Sequence, residues 1–160
     1  NMIFVTVGSQ KFQFNRLIQK VDDLAASGEI ADKVFFQIGV SDYMPKHGEY
    51  SRFLDRDEFS EISGKCDIVI THGGTGAIIG AVKRGKKVIA VPRLARYKEH
   101  VDDHQLQLLH QFDEMGLILP CYDVEGLAEA LRQVRGMTFN TYESNTDTIV
   151  RSIERFIDGE

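Results

Sequence analysis

The chain has 160 residues, of which 42% are hydrophobic and 27% are charged, and its formal net charge is −5. This length suits one domain with a full core but not two domains of ordinary size. The acidic balance argues against nucleic acid as the main partner, because binding to a phosphate backbone needs a basic surface.

Short apolar runs predict β-strands that alternate with helical patterns along the chain. The runs are continuous in hydrophobicity, which is typical of parallel strands buried on both faces. They are Ile3–Val7, Val34–Ile38, Ile68–Ile70, Val88–Val91 and Leu117–Leu119. This alternation predicts βαβ units, and therefore an α/β fold with a Rossmann-like parallel sheet flanked by helices.

Amphipathic stripes predict the helices, the first of them starting near Phe12. Gly85 and Gly116 are expected to end two helices, and Asp123 to cap the start of another. The stripes are Phe14–Ala25, Ile78–Val82, Leu108–Met115, Val124–Leu131 and a last one made of Ile149, Ile153, Phe156 and Ile157.

Two polar stretches and one boundary complete the predicted organisation. Ser41–Tyr50 is expected to be a loop, and so is Pro92–His100, which follows a strand at the end where α/β proteins bind ligands. We predict a ligand-binding domain over residues 2–135. Residues 136–160 would then form a C-terminal loop and helix that packs on the domain or on a partner.

The most informative motif follows the strand at Ile68–Ile70 and opens a helix. Its glycines let a ligand approach the backbone, and the helix start offers unpaired N–H groups and a positive dipole end. The motif predicts an anion site, with Thr75 as a plain helix cap and His72 as a packed core residue being the alternatives. It consists of Thr71, His72, Gly73, Gly74, Thr75 and Gly76.

A second strand–glycine corner lies at Gly8, Ser9 and Gln10, ahead of the first predicted helix. We interpret it as a phosphate loop, although a tight strand–helix turn explains it equally well. It contains neither a dinucleotide fingerprint nor a P-loop lysine. An oxidoreductase would need that fingerprint, so the two corners favour a nucleotide held by its diphosphate.

The segment from Arg93 to Gln105 is rich in groups that bind phosphates and sugar hydroxyls. Arg93 is a candidate phosphate ligand, while Asp103, His104 and Gln105 are expected to face the ligand from a helix start. A capping role for the aspartates is the alternative. His100 and His104 have metal-like spacing but no obvious third ligand, so no metal is expected. No catalytic nucleophile or general base can be identified.

Three segments in a fixed order carry a resemblance to a known family. They are Val5-Thr6-Val7-Gly8-Ser9-Gln10, Thr71-His72-Gly73-Gly74-Thr75-Gly76 and Val91-Pro92-Arg93 with Glu99-His100-Val101-Asp102-Asp103-His104-Gln105. The chain resembles the C-terminal, donor-binding half of MurG-type, family 28 glycosyltransferases. It is most similar to stand-alone subunits that carry this half alone. These include the cytosolic subunit that helps to add the second GlcNAc to dolichol-linked sugar, and PssE-type exopolysaccharide and capsule subunits.

The resemblance implies half of a GT-B enzyme that uses a UDP-sugar as donor substrate, with no cofactor and no metal. The acceptor, a lipid-diphosphate-linked saccharide, and the general base would belong to a membrane-anchored partner subunit. The chain would then be cytoplasmic and reach the inner face of the membrane through that partner, with a homodimer possible when it is isolated. By position, the two corners would hold the diphosphate and the segment from Asp103 to Gln105 would face the donor sugar.

One position departs from the family pattern. Many members carry a glutamate on the helix after the glycine turn that holds the ribose hydroxyls, and Gly80 stands there in this chain. A glycine cannot accept those hydrogen bonds. The alternative function is therefore a non-catalytic nucleotide-binding or scaffold subunit that activates a partner transferase.

Overall fold

A computed structural model describes residues 1–143 together with residues 151, 152 and 155. It contains a six-stranded sheet in which every neighbouring pair is parallel, with strand order β3-β2-β1-β4-β5-β6. The strands are β1 (Met2–Thr6), β2 (Lys33–Gln37), β3 (Glu49–Ser51), β4 (Ile68–His72), β5 (Lys87–Val91) and β6 (Leu119–Pro120). The predicted α/β, Rossmann-like fold is confirmed.

Helices cover both faces of the sheet. They are α1 (Asn15–Ala26), α2 (Arg56–Lys65), α3 (Thr75–Lys83), α4 (His104–Glu114) and α5 (Leu127–Arg135), with short 3₁₀ turns at Ala95–Tyr97 and Val124–Gly126. Successive strand residues point to opposite faces, so Ile3 joins one hydrophobic core and Phe4 the other. This two-sided burial explains why the strands read as unbroken apolar runs.

The strand order reverses between β1 and β4, which is the topological switch point of the sheet. Thr6 and Thr71 are paired in register there, and the Thr71 hydroxyl donates to the Thr6 carbonyl at 3.0 Å. The loops that follow these two strands therefore leave the sheet side by side. In open α/β sheets, ligands bind in the crevice between such loops.

One strand and one helix were not predicted from the sequence. The end of the segment expected to be a loop, Ser41–Tyr50, pairs with β2 as edge strand β3, which is too short to show a pattern. Helix α2 is largely exposed, so it has no strong apolar stripe. Its start is marked instead by a capping box in which Asp55 accepts from the Glu58 backbone N–H at 2.8 Å.

The predicted helix ends were accurate at glycines, and less so at other positions. Gly85 and Gly116 both adopt a φ of 70° directly after a helix, as expected of C-terminal glycines. Asp123 accepts from the Glu125 N–H at 3.0 Å and so caps the turn that leads into α5. Helix α1 starts at Asn15, three residues later than predicted.

The C-terminal segment is described only in part. Phe139 and Tyr142 pack against the two cores, and the Asn140 N–H donates to the Gly116 carbonyl at 2.9 Å. Residues 136–142 thus lie on their own domain. The predicted apolar stripe of the last helix falls outside the described residues; its positions are Ile149, Ile153, Phe156 and Ile157. Among the described residues, no helix combines the length and apolar character needed to cross a bilayer.

Candidate functional site at the switch point

The first corner of the site follows β1 and turns at Gly8. This residue has a φ of 74°, a conformation that strongly favours glycine. Its carbonyl accepts from the Gln37 side-chain amide at 3.0 Å, and a Cβ at this position would lie 2.6 Å from Nε2 of His72. Gly8 is therefore fixed both by its backbone and by its neighbour, while Ser9 beside it is exposed.

This corner does not sit on the start of a helix, contrary to the sequence interpretation. Helix α1 begins only at Asn15, and its start is already occupied by side chains from the chain itself. Ser41 Oγ accepts from the Phe14 N–H at 2.9 Å and Gln13 Oε1 accepts from the Asn15 N–H at 2.8 Å. A phosphate at Ser9 would thus be bound by loop groups rather than by a helix dipole. Gln10 Oε1 lies buried there without a hydrogen-bond partner among the described residues.

The second corner follows β4 and is an open helix start. Gly74 is the N-cap of α3 and Thr75 is its first residue, so Thr75 is not the cap. No described side chain caps this end, and the first helical bond runs from the Ile78 N–H to the Gly74 carbonyl. The N–H groups that precede it on Thr75, Gly76 and Ala77 have no helical partner, which makes this end suited to an anion.

The glycines of this corner are explained by two different structural constraints. A Cβ at Gly73 would lie 2.7 Å from Cβ of Gln105, and one at Gly74 would clash with the His72 ring. These two glycines are thus required by the chain's own side chains. Only a Cβ at Gly76 would meet open space, so Gly76 is the glycine that leaves room above the backbone.

His72 lies between the two corners and is only 4% exposed. Burial, followed by the nearby charges of Arg93 and His100, lowers the pKa of His72 to about 3. The imidazole is therefore neutral at physiological pH. The structure agrees with the interpretation of His72 as a packed core residue. The same side chain also contacts the glycines of both corners, so its predicted part in the anion site stays open.

Gln105 is expected to face the donor sugar. It is buried beneath the second corner, where its Oε1 accepts from the backbone N–H groups of Gly73 and Arg93 at 3.2 and 2.9 Å. Its amide nitrogen lies 3.3 Å from His72 Nδ1. With these contacts the Gln105 side chain is buried and hydrogen-bonded within the protein, and its contact with the donor sugar stays a prediction.

Asp103 and His104 lie at the start of α4, nearer the surface. Asp103 accepts from the Ala95 N–H at 2.9 Å and so ties this helix start to the preceding loop. His104 donates its backbone N–H to Asp102 Oδ1 at 3.0 Å, and its ring lies 3.5 Å from the same carboxylate. Asp102 therefore has the capping role that was the alternative for the aspartates, while Asp103 links the start of α4 to the preceding loop.

Arg93, predicted as a phosphate ligand, is bonded inside the domain in the structure. Its side chain is fully buried, and its terminal nitrogens donate to the carbonyls of Phe12, Gln13 and Glu99 at 3.0 to 3.2 Å and also to that of Val7. Burial lowers the pKa of Arg93 to about 10, so it stays charged. A guanidinium held in this way cannot reach an anion at the surface.

Glu99 is the functional neighbour of Arg93 that the sequence interpretation missed. The sequence analysis gave it no role of its own within the segment Arg93–Gln105, and in the structure it is 1% exposed. Its carboxylate accepts two hydrogen bonds from Arg16, each at 3.0 Å, and one from the Leu94 N–H at 3.0 Å. This pair fastens the loop after β5 to helix α1. Its sequence signal was weak, because a single acid in a charged loop is usually exposed.

A cleft of about 290 Å³ connects the two corners. One side is polar and the other is apolar, and Phe53 on the apolar side is 52% exposed. The lining residues are Thr6, Gly8, Ser9, Gln37, Phe53, Leu54, Phe59, Gly76 and Ala77. A larger cavity of about 540 Å³ between the β2–β3 edge and α2 contains none of the predicted site residues.

The aromatic wall of the cleft was also missed by sequence analysis. Phe53 and Leu54 lie between β3 and α2, two elements that were not predicted, so nothing in the sequence placed them near a glycine corner. In the described part of the chain no group of three or more histidine, cysteine or acidic side chains is arranged to hold a metal ion.

Fold and site together define a Rossmann-like domain with two glycine corners on one cleft at the switch point of its sheet. Residues 2–158 match the glycosyltransferase family 28 C-terminal domain, and the chain belongs to that family.

Individual relatives agree with this assignment. The chain is 27% identical over 131 residues to the human UDP-N-acetylglucosamine transferase subunit ALG13, an alignment that covers 74% of this chain but 11% of that protein. The solution structure of ALG13 superposes with a TM-score of 0.61 at 20% identity, covering 98% of this chain and 94% of the other. MurG of Acinetobacter baumannii superposes with a TM-score of 0.57 at 14% identity, covering 97% of this chain and 50% of the other.

Proposed function

We propose that this chain binds the diphosphate of a UDP-sugar at the two glycine corners and acts as the donor-binding subunit of a glycosyltransferase. The carrying observation is that the uncapped start of α3, through Gly76 and Ala77, and the turn at Gly8–Ser9 line one cleft. Membership of family 28 and similarity to a UDP-N-acetylglucosamine transferase subunit support a UDP-sugar as the ligand.

The proposed chemistry is stabilisation of the leaving group. Transfer of the sugar leaves UDP, so negative charge builds on the β-phosphate as the bond to the sugar breaks. The backbone N–H groups at the start of α3 would donate hydrogen bonds to the charged phosphate oxygens, and the helix dipole would add to this stabilisation. Arg93 is held by carbonyls inside the domain, so we do not assign this stabilisation to its guanidinium.

The nucleoside would occupy the rest of the cleft. Phe53 offers an exposed aromatic face that is suited to stacking with a base, whereas Thr6 and Gln37 beneath it are already hydrogen-bonded to each other. Gly80 leaves the ribose hydroxyls without the acid that many relatives carry. We therefore expect weak binding of UDP by the isolated chain.

The acceptor and the general base are assigned to another subunit. The chain spans about a tenth of the human relative, so the activity of that whole protein is not transferred here beyond this proposal. We propose a membrane-anchored partner that binds a lipid-diphosphate-linked saccharide in exopolysaccharide or capsule synthesis. The chain would act at the cytoplasmic face of the membrane and need neither a cofactor nor a metal, and residues 136–160 would contact the domain or the partner.

Calorimetric or NMR titration with UDP tests the donor site, with UMP and NAD as controls. We expect UDP to bind more tightly than UMP, since UMP lacks the second phosphate, and NAD not to compete. The variant Phe53→Ala should weaken UDP binding several-fold, whereas Tyr122→Ala removes a partly exposed aromatic outside the cleft and should not. Equal binding of UDP and UMP would contradict a diphosphate site.

The scaffold alternative is favoured by one observation, the glycine at position 80. A Cβ there would meet only Arg84 Nη1, at 3.6 Å, which is ordinary van der Waals contact, so a side chain can start at this position without a clash at its Cβ. If the chain is a donor subunit that lacks one ribose contact, Gly80→Glu should tighten UDP binding. A scaffold would show no UDP binding in either form, yet would still activate the co-expressed partner.

A further inference from the structure

We propose that Gln105 is a positioning residue that fixes His72 as the tautomer with its proton on Nε2, so that a neutral imidazole donates a hydrogen bond at the diphosphate site. This inference rests on the proposed function. It assigns Gln105 a role other than direct contact with the donor sugar, and it is carried by the geometry of the buried amide.

The orientation of the Gln105 amide follows from its partners. The backbone N–H groups of Gly73 and Arg93 both point at one atom of this side chain, at 3.2 and 2.9 Å. A backbone N–H can only donate, so that atom has to be the amide oxygen. The amide nitrogen is then turned towards His72 Nδ1, 3.3 Å away.

The orientation of the amide decides which imidazole nitrogen carries the proton. The amide nitrogen can only donate, so Nδ1 of His72 has to accept. A neutral ring has one proton, which is left on Nε2. The ring stays neutral because it is buried, and because two nearby groups, Arg93 and His100, disfavour a positive charge on it.

Nε2 of His72 faces the place where the two corners meet. A Cβ added to Gly8 or to Gly74 would lie 2.6 or 2.7 Å from this atom, so both glycines bring their backbones against it. Within residues 1–143 no hydrogen bond joins Nε2 to the protein. A ring donor without a protein partner among these residues, on a side chain that is only 4% exposed, is suited to an anion held over both corners.

The proton position can be read directly by NMR of the imidazole nitrogens in a ¹⁵N-histidine sample. In the wild type we expect a protonated Nε2 and an unprotonated Nδ1 for His72, unchanged between pH 5 and 8, the range in which exposed histidines titrate (about pH 6.5). A His72 ring with its proton on Nδ1, or one that titrates in this range, would overturn the proposal without any reference to nucleotide binding.

Gln105→Glu is expected to reverse the hydrogen bond to His72 and to keep the two hydrogen bonds that hold the backbone. One carboxylate oxygen still accepts from Gly73 and Arg93, but the other replaces the donor beside His72 Nδ1. The proton of the neutral ring should then move to Nδ1, and UDP binding should weaken about tenfold or more. Gln107→Glu is the matched control, because it places the same charge on an exposed position of the same helix and should change neither property.

Acidification provides a rescue that a purely structural role would not show. As the ring of the Gln105→Glu variant takes up a second proton, Nε2 regains its hydrogen, and UDP affinity should recover relative to the wild type at the same pH. A reversed tautomer with unaltered UDP affinity would refute the contact between Nε2 and the diphosphate. If the wild type binds no UDP at all, the proposed function fails, but the nitrogen spectrum still decides the role of Gln105.

Discussion

Gly76→Ala separates stability from ligand binding at the candidate site. Gly76 is the second residue of α3, its φ is not positive, and a Cβ there would touch nothing within 4 Å in the protein. Alanine is favoured over glycine by about 0.8–1.0 kcal/mol inside a helix, and we expect about half of that near the helix end. The variant should therefore be slightly more stable, by about 1–2 °C in Tm for a domain of this size.

Binding of UDP should change in the opposite direction. The added methyl group projects into the cleft above the helix start, where overpacking typically costs about 1–3 kcal/mol. We expect UDP affinity to fall about tenfold, which corresponds to about 1.4 kcal/mol. The assays are thermal unfolding by circular dichroism and calorimetric titration with UDP on the same samples.

Gly64→Ala is the matched control for this variant. Gly64 lies one residue before the end of α2, and a Cβ there also meets nothing within 4 Å, but it is remote from the cleft. It should give a similar gain in stability with no change in UDP binding. If Gly76→Ala gains stability and binds UDP as tightly as this control, the diphosphate does not lie over the start of α3.

Three further predictions concern the supports of the site. Glu99→Ala should destabilise the protein by about 3 kcal/mol in urea unfolding, because Arg16 loses a buried partner, whereas Glu61→Ala, which breaks an exposed pair, should cost less than about 1 kcal/mol. Gly8→Ala should cost more than Gly28→Ala, since both have positive φ but only Gly8 faces a side chain, and equal losses would refute that contact. Burial raises the pKa of Asp22, but hydrogen bonds from Tyr43, Lys46 and His47 together outweigh burial and lower it. The stability they give should therefore be present above the ordinary aspartate pKa and be lost as pH falls through the folded value; urea unfolding of the wild type against Asp22→Asn should show this difference shrinking in acid.

The sequence predicted the fold well where burial leaves a pattern. β1, β2, β4 and β5 are buried on both faces, and continuous apolar runs are the direct consequence of that position. Strand β3 was missed because it is a short strand at the edge of the sheet, and helix α2 because most of its residues are exposed. Their residues contact solvent, so hydrophobicity carries no period there, and only the capping pair Asp55 and Glu58 marks the helix.

The site was predicted less evenly than the fold. Both glycine corners were found, because a positive φ or a close approach restricts the residue type at a fixed place in the chain. The sequence did not predict that Arg93 and Gln105 are buried and bonded to backbone groups, and it gave no sign of Phe53. An arginine that binds phosphate and one that binds carbonyls look the same in a sequence, since the difference lies in which atoms surround the guanidinium.

The amino-acid sequence by itself determines that this chain forms a parallel α/β sheet with glycine corners after the apolar runs Ile3–Val7 and Ile68–Ile70, because these features depend on local backbone preference and on burial. Only the tertiary structure decides what lies against those corners. It places His72 between Gly8 and Gly74 and encloses Gln105 beneath them, through contacts between residues far apart in the chain. Such contacts set the direction of a hydrogen bond and the protonation of a ring, and no local pattern encodes either.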